Sequence, residues 1–257
     1  MNFIDTLILG VIEGVTEFLP ISSTGHMILA GKWLQIPSTE FVKSFEIAIQ
    51  LGAILAVCCL FRRRLFADIP VIKRVAAAFV PTMIIGGIFY KLIKKYLLGN
   101  AAVVVWALGI GGVIIILFEN FHRPEPPRDL DLKNISYRQA VGIGLFQSLA
   151  VIPGVSRAAA TIIGGMALGV ARATIVEFSF LLAVPTMGAA TVLDLMKSAP
   201  KFTLSEITLL GWGFGVSFLT ALLVVRWLIG FVRTNNFIGF GVYRVVLACL
   251  AALVLLR

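Results

Sequence analysis

The chain has 257 residues, of which 59% are hydrophobic and 14% are charged, and its mean hydropathy is +1.00. Soluble domains are about 45 to 50% apolar and about 25% charged, so this composition excludes an ordinary soluble domain, a disordered chain and a secreted disulfide scaffold. The formal net charge of +9 does not indicate nucleic-acid binding, because basic residues of a membrane chain collect in loops beside anionic headgroups. We expect an all-α polytopic membrane protein that is surrounded by lipids and has no nucleic-acid partner.

Long apolar runs predict the helices that cross the membrane. A crossing needs about 20 apolar residues, and six runs meet or approach that length: 41–61, 75–90, 101–118, 177–196, 209–229 and 237–256. Two further apolar stretches, 3–34 and 137–170, are interrupted by proline, glycine and hydroxyl residues. Non-helical backbone survives at membrane depth only where protein or a polar cavity surrounds it. We predict about six full transmembrane helices and two re-entrant helix hairpins with their tips inside the protein.

A polar segment divides the chain into halves of similar length. Residues 123–136 carry prolines and mixed charges, which predicts a linker between a first repeat, 1–122, and a second repeat, 137–257, within one membrane domain. A shift of 134 positions pairs Ser22 in the first break with Ser156 in the second. An odd number of crossings in each half would make this an inverted internal repeat, which is common in transporters.

Basic residues predict the orientation of the chain. One basic loop, residues 62–74, follows the first crossing, and another, residues 123–138, comes two crossings later. Loops separated by two crossings lie on the same side, and short basic loops favour the cytoplasmic side. We expect both loops in the cytoplasm.

Two glutamates share one helical face in the first broken stretch. Glu13 and Glu17 lie about one turn apart. Two unneutralised carboxylates would repel each other in a low dielectric, so the pair either shares a proton or holds a cation. Mg²⁺ is typically held by one or two carboxylates together with substrate phosphates. The alternative is two glutamates at a helix interface, each satisfied by a neighbour.

Hydroxyl, imidazole and guanidinium groups follow the two breaks. If the segment after the first break is helical, His26 shares a face with Ser23, which would place a base beside a nucleophile. Arg157 follows the second break, and its planar fork matches phosphate oxygens. The alternatives are hydroxyls that cap helices, an ordinary interfacial histidine, and an arginine paired permanently with a glutamate. Taken together, the two breaks predict a site for a metal-bound phosphate.

Two motifs resemble the signatures of the bacterial undecaprenyl-diphosphate phosphatases, the family associated with bacitracin resistance. The first reads Glu-Gly-Val-Thr-Glu-Phe-Leu-Pro-Ile-Ser-Ser-Thr-Gly-His at 13–26, and the second reads Pro-Gly-Val-Ser-Arg at 153–157. Segments that begin at Phe45 and at Glu177 are also similar to that family. The resemblance therefore covers nearly the whole chain.

The resemblance implies an integral membrane phosphatase in the bacterial cytoplasmic (inner) membrane, with a site that opens to the outer face. Such an enzyme hydrolyses undecaprenyl diphosphate to undecaprenyl phosphate and inorganic phosphate, which recycles the lipid carrier for peptidoglycan synthesis. The substrate partner is then a polyisoprenyl diphosphate, and the cofactor is a divalent cation, for which we expect Mg²⁺ with Ca²⁺ as the alternative. The oligomeric state is open, with a homodimer as one option.

The resemblance also assigns roles to residues. Glu13 and Glu17 would bind the metal or position water. Catalytic roles fall on Glu17, Ser23, His26 and Arg157, with serine, histidine or an activated water as the attacking group. Substrate-binding roles fall on Ser22, Thr24, Ser156, Arg157 and Thr161. Apart from the resemblance, we expect Glu46, Gln50 and Glu177 either to support the two breaks by hydrogen bonds from behind or to contact the site directly.

The second motif departs from the family pattern at one position. The pattern usually has a second serine after the arginine, whereas this chain has Ala158. A neutral hydrogen bond contributes about 0.5 to 1.5 kcal/mol, so we expect weaker phosphate binding rather than lost chemistry.

An inverted-repeat secondary transporter or lipid flippase is the alternative from another class of function. Broken helices and charges at mid-membrane are equally typical of transporters. The hydroxyl and imidazole groups beside the acids favour the enzyme, because transport does not require them.

Overall fold

The computed structural model describes residues 1–37, 39–97, 100–122, 131–198 and 202–255, and for residues 90–95, 189–190 and 192–198 it describes the backbone alone. Within these ranges the chain is helical and contains no β-strand. The α-helices are α1 (Phe3–Thr16), α2 (Ser23–Trp33), α3 (Glu40–Leu60), α4 (Arg62–Phe66), α5 (Ile69–Tyr96), α6 (Ala101–Phe121), α7 (Tyr137–Gln147), α8 (Arg157–Ala167), α9 (Arg172–Ser198), α10 (Leu204–Phe231) and α11 (Ile238–Leu255). Two 3₁₀ turns cover Leu132–Asn134 and Ser148–Val151.

A helix covers most of each of the six predicted spans within the described residues. Five of these helices are long and apolar enough to cross a membrane, namely α3, α5 as far as Phe89, α6, α10 and α11. The sixth predicted span lies within α9, which is not among these five. The prediction for α5 was too short, because charged residues at its ends lower the hydropathy without ending the helix. The chain is therefore an all-helical, multi-pass membrane protein.

The two interrupted stretches each form two helices separated by a break. At the first break Ser22 has φ +71°, and at the second Ser156 has φ +73°, a region that residues other than glycine rarely adopt. Each serine caps the helix that follows, accepting from the amide of Gly25 at 3.4 Å and of Ala159 at 3.2 Å. The two breaks thus share one local geometry, 134 residues apart.

Ion pairs between helix termini hold one end of the bundle, which we call the Arg64 end. Arg64 Nη1 in α4 lies 3.2 Å from Asp131 Oδ1, and Arg172 at the start of α9 pairs with Glu119 in α6. The helices α7 and α8 are joined at the second break. Because α7 begins shortly after Asp131 and α8 ends shortly before Arg172, the unjoined ends of α7 and α8 lie at the Arg64 end.

Aromatic contacts hold the opposite end, which we call the Phe3 end. The ring of Phe3 in α1 meets that of Trp212 in α10 edge to face, with centroids 5.6 Å apart. The ring of Phe41 in α3 meets that of Phe202 in the same way at 5.5 Å. Because α1 begins here and α2 ends just before α3 begins, the pair of α1 and α2 has its open end here.

The predicted linker is described only in part. Residues 123–130 lie outside the described residues. Of the remainder, Leu132 and Ile135 are buried, at 2% exposure each, in the main hydrophobic core. This end of the linker is therefore packed against the helices rather than free in solvent.

Close helix contacts depend on small residues. The helix α10 packs against α1 and α3, α5 packs against α7, α3 against α9, and α6 against α11. At the contact of α1 with α10, a Cβ atom added to Gly14 would lie 2.6 Å from the carbonyl oxygen of Ser217. A Cβ atom added to Gly215, also in α10, would have no heavy atom within 4 Å.

We expect Gly14→Ala to lower the free energy of unfolding, because its methyl group would force α1 and α10 apart. Overpacking of this kind costs about 1 to 3 kcal/mol. Gly215→Ala is the matched control, and alanine there should be neutral or slightly stabilising, since it favours a helix over glycine. Thermal unfolding in detergent measures the difference, and equal midpoints for the two variants would contradict this account of the packing.

Candidate active site

One carboxylate connects the two breaks. The Ser23 hydroxyl donates to Glu17 Oε2 at 2.6 Å, and Arg157 Nη2 donates to Glu17 Oε1 at 2.9 Å. The side chains of Glu17 and Arg157 are 5% and 11% exposed, so this ion pair is largely removed from solvent. The predicted meeting of the two breaks is confirmed, since Ser23 and Arg157 come from opposite halves of the chain.

Arg157 is held from several sides and still has an unused donor. Its Nη1 donates to the Ser179 carbonyl oxygen at 2.9 Å, and its guanidinium lies 5.5 Å from the ring centroid of Phe18. Its Nε is buried and has no hydrogen-bond partner among the described residues. The ion pair with Glu17 matches the alternative of a permanently paired arginine, but the free Nε retains the capacity to bind an anion.

A cavity of about 230 Å³, with both polar and apolar residues in its wall, lies at the meeting point of the breaks. A water occupies about 30 Å³ of liquid, so roughly seven waters or one phosphate headgroup would fit, but a long lipid chain would not. Seven predicted residues line this cavity: Glu17, Ser22, Ser23, Thr24, Gln50, Ser156 and Arg157. The lining also includes side chains that the sequence analysis did not assign to the site, among them Thr82, Gln147, Thr186 and Met187.

Glu13 lies completely buried beside the cavity. Its carboxyl group has no hydrogen-bond donor among the described residues. Glu17 and Glu46 are close enough to interact with it electrostatically. A buried carboxylate without a donor is costly, so Glu13 requires a proton or a cation. Within the described ranges no three His, Cys, Asp or Glu side chains converge, so a bound ion would depend on two carboxylates and its other ligands.

His26 has partners other than the Ser23 hydroxyl at both of its imidazole nitrogens. Its Nδ1 lies 2.8 Å from the Ser22 carbonyl oxygen, and its Nε2 lies 2.6 Å from the Tyr243 hydroxyl. Since a carbonyl oxygen only accepts, Nδ1 carries the proton and Nε2 accepts from Tyr243. The predicted contact between His26 and Ser23 is therefore wrong in this geometry, because both imidazole nitrogens already have partners and Ser23 donates to Glu17.

Thr161 lies behind the cavity wall. Its hydroxyl shares one proton between the Arg157 carbonyl oxygen at 2.8 Å and Gln147 Oε1 at 3.2 Å, and Gln147 Nε2 donates to the Thr82 hydroxyl at 3.0 Å. Both Gln147 and Thr82 line the cavity, so Thr161 orients lining residues rather than contacting the cavity itself. Gln147 was detectable, because the 134-residue shift pairs it with Glu13.

The structure does not bring Glu177 to the cavity. Its Oε1 lies 3.7 Å from Arg64 Nε, at the Arg64 end. Glu177 precedes the lining residue Thr186 by nine positions in α9, which is about 14 Å at 1.5 Å per residue. The expectation that Glu177 supports the site was wrong for this reason.

Ala158 is completely buried and is not part of the described cavity wall. The hydroxyl group that the family pattern has at this position is therefore not a group that this cavity wall lacks.

The fold and the site define a multi-pass membrane protein in which acidic, hydroxyl and guanidinium groups converge on one cavity. The chain belongs to the family described as bacitracin resistance protein BacA, whose model matches residues 6–250. It is 50% identical to the undecaprenyl-diphosphatase of Aquifex aeolicus, with 96% of each chain covered. It is 47% identical to the undecaprenyl-diphosphatase of Thermus thermophilus, with 98% of this chain and 97% of the relative covered.

We expect Glu17→Gln to destabilise the protein strongly, because the neutral amide leaves the buried guanidinium of Arg157 without a counter-charge. Removing one partner of a buried ion pair costs about 3 to 5 kcal/mol. Glu13→Gln makes the same change one turn earlier. The Glu13 carboxyl group accepts no hydrogen bond from the described residues, so this variant should keep a stability near that of the wild type. Denaturant unfolding in detergent with a chelator present compares the two, and a similar loss in both variants would contradict the ion pair.

Proposed function

We propose that the chain is an integral membrane phosphatase that hydrolyses undecaprenyl diphosphate to undecaprenyl phosphate and inorganic phosphate, and so recycles the lipid carrier for peptidoglycan synthesis. The observation that carries this proposal is the Glu17 carboxylate, which joins the Ser23 hydroxyl to the Arg157 guanidinium at the wall of the cavity where the two breaks meet. The names of the relatives, at 47 to 50% identity over nearly the full length, support the same activity.

The cavity binds the diphosphate headgroup while the isoprenoid tail stays outside it. Arg157 offers charged donors to the phosphate oxygens. The helices α2 and α8 begin at the cavity, and helix N-termini favour anions through their free amides and their dipole. Ser22, Thr24 and Ser156 add polar groups to the same wall. A tail of many isoprene units far exceeds the cavity and must lie among the membrane lipids.

The geometry favours Ser23 as the attacking group. Its Oγ attacks the terminal phosphorus while its proton passes to Glu17, the acceptor 2.6 Å away. The bond from that phosphorus to the bridging oxygen breaks, and undecaprenyl phosphate leaves. Water then attacks the phosphoserine, which releases inorganic phosphate and restores the hydroxyl of Ser23. Arg157 stabilises the charge on the transferred phosphoryl group, and phosphoryl transfer depends mainly on positioning and such neutralisation.

His26 contributes by holding the first break rather than as the base for Ser23. Its Nδ1 donates to the carbonyl of Ser22, the residue with the strained φ angle. Tyr243 orients the imidazole from α11 through the bond to Nε2. This role replaces the acid or base function that the motif resemblance implies.

Glu13 and Glu17 are the residues that would hold a divalent cation. The carboxyl group of Glu13, buried without a donor among the described residues, fits this assignment. We expect Mg²⁺, with Ca²⁺ as the alternative, since both accept carboxylate and phosphate oxygens. A bound ion would supply neutralisation of the diphosphate charge.

We place six crossings and two re-entrant hairpins in the bacterial cytoplasmic membrane, with repeats 1–122 and 137–257 inverted. Several observations support this arrangement: the helix pairs open at opposite ends, the breaks share one backbone geometry, and α1 packs on α10 as α7 packs on α5. The basic Arg64 end lies in the cytoplasm by the positive-inside rule. We propose that the cavity opens to the outer face, as the motif resemblance implies.

A secondary transporter or lipid flippase is not favoured. The relatives carry the name of a diphosphatase. The short bond from Ser23 to Glu17 also prepares a nucleophile, which transport does not need.

Phosphate release from undecaprenyl diphosphate in detergent tests the proposed activity. Arg157→Ala should lower kcat by about 10² to 10³-fold, the usual loss when a group that stabilises transition-state charge is removed. Ser23→Ala should fall to background, whereas Ser217→Ala, a buried serine in α10 whose hydroxyl has no partner among the described residues, should retain wild-type turnover. If the wild type released no phosphate, the proposed activity would be wrong. Full activity in Ser23→Ala would show that a water molecule, and not Ser23, attacks the phosphorus.

Chelation tests the cation. We expect excess EDTA to abolish phosphate release and added Mg²⁺ to restore it, because the headgroup charge is then neutralised again. Glu13→Gln should raise the Mg²⁺ concentration that gives half-maximal rate. Activity that is insensitive to EDTA would remove the cation from the proposal and leave a protonated Glu13 in its place.

A further inference from the structure

Arg244 in α11 is completely buried, and it lies inside the apolar run 237–256, where no functional residue was predicted. Within the described ranges it forms no ion pair, and all five of its N–H donors go to backbone carbonyl oxygens. The acceptors are Leu108 (3.3 Å from Nε), Pro20 (3.2 Å) and Val155 (3.0 Å) from Nη1, and Ala107 (3.0 Å) and Gly154 (3.0 Å) from Nη2.

These acceptors belong to three segments that are far apart in sequence. Pro20 lies in the first break, Gly154 and Val155 lie in the second, and Ala107 and Leu108 lie in α6. One rigid guanidinium plane therefore bridges both breaks and attaches them to the wall formed by α6 and α11. A lysine has three donors on a flexible stem and could not make the same set of bonds.

A buried arginine without a carboxylate partner is expensive in a membrane protein. The carbonyls of the breaks explain why it is present, because backbone outside a helix must find partners within the protein at membrane depth. The clamped carbonyls also lie next to the strained serines. Pro20 precedes Ser22 by two residues and Val155 directly precedes Ser156, and unusual φ angles persist only where their surroundings hold them.

We propose that Arg244 is a positioning residue that fixes the first break relative to the second, so that Ser23 and Arg157 meet at Glu17. This inference rests on the phosphatase activity proposed above. The Val155 carbonyl points at Arg244, so the N–H of Ser156 in the same trans peptide points away from Arg244. Arg244 thereby sets the direction of an amide at the start of α8, where the anion binds.

Replacing Arg244 itself removes all five donors and the buried charge together, so the decisive variant shifts its side chain instead and keeps the charge and the donors. A Cβ atom at Gly111 in α6 would overlap the guanidinium of Arg244. Only the end of a flexible side chain obstructs it, so α6 keeps its backbone. Gly109→Ala makes the same change in the same helix, where the new methyl group meets Ala248 Cβ at an ordinary 3.4 Å.

The two variants are compared by turnover on undecaprenyl diphosphate and by amide hydrogen exchange. We expect Gly111→Ala to lower kcat by about 10²-fold with little change in KM, because a misplacement near 1 Å costs that much in rate. Exchange should accelerate in peptides spanning 18–25 and 152–159, the segments that Arg244 attaches. Gly109→Ala should match the wild type in both measurements.

Two results separate the failure of this inference from failure of the proposed function. If Gly111→Ala equals Gly109→Ala in kcat and in exchange, Arg244 does not position the breaks. If the wild type and Gly109→Ala release no phosphate, the proposed function is wrong, while faster exchange confined to the two breaks of Gly111→Ala would still establish the attachment by Arg244. Arg244→Lys adds a check, since near-normal kcat there would show that charge alone suffices and would overturn the five-bond clamp.

Discussion

Backbone that leaves the helical conformation inside an apolar bundle must be hydrogen-bonded by the protein itself, and this constraint organises the whole structure. Each break is capped by its own serine hydroxyl, at Ser22 and Ser156. Arg244 satisfies carbonyls of both breaks at once, and His26 satisfies that of Ser22. The same bonds that make non-helical backbone tolerable at membrane depth also determine where the side chains of the breaks point.

Charge is concentrated where the breaks meet. Glu17 neutralises Arg157 and accepts from Ser23, while Glu13 is buried four residues earlier without a donor in the described part of the chain. A low dielectric strengthens each of these interactions and makes an unmet one costly. In the proposed reaction an arriving phosphate would compete with Glu17 for the guanidinium of Arg157.

The contacts that escaped prediction share one cause, which is that they join elements distant in sequence. Glu177 begins a segment that is similar to the family, as the segments of the site are, yet its position in α9 brings it to Arg64. His26 has a spacing suited to Ser23, but Tyr243, 217 residues away, takes its Nε2. Arg244 carried a usable signal, since a charged residue within an apolar run requires a partner, but its acceptors are carbonyls, which no sequence pattern marks.

By itself the sequence determined the helical class, the approximate bounds of the apolar helices, the position of both breaks and the residue types available for phosphate chemistry. These follow from local properties: the length of apolar runs, the effect of proline and glycine on a helix, and the motif letters. Only the tertiary structure decided which acid binds Ser23, which way His26 faces and what holds the breaks together. Those outcomes depend on the packing of α6, α8 and α11 around the first break, and no periodicity within a single segment encodes the angle at which separate helices meet.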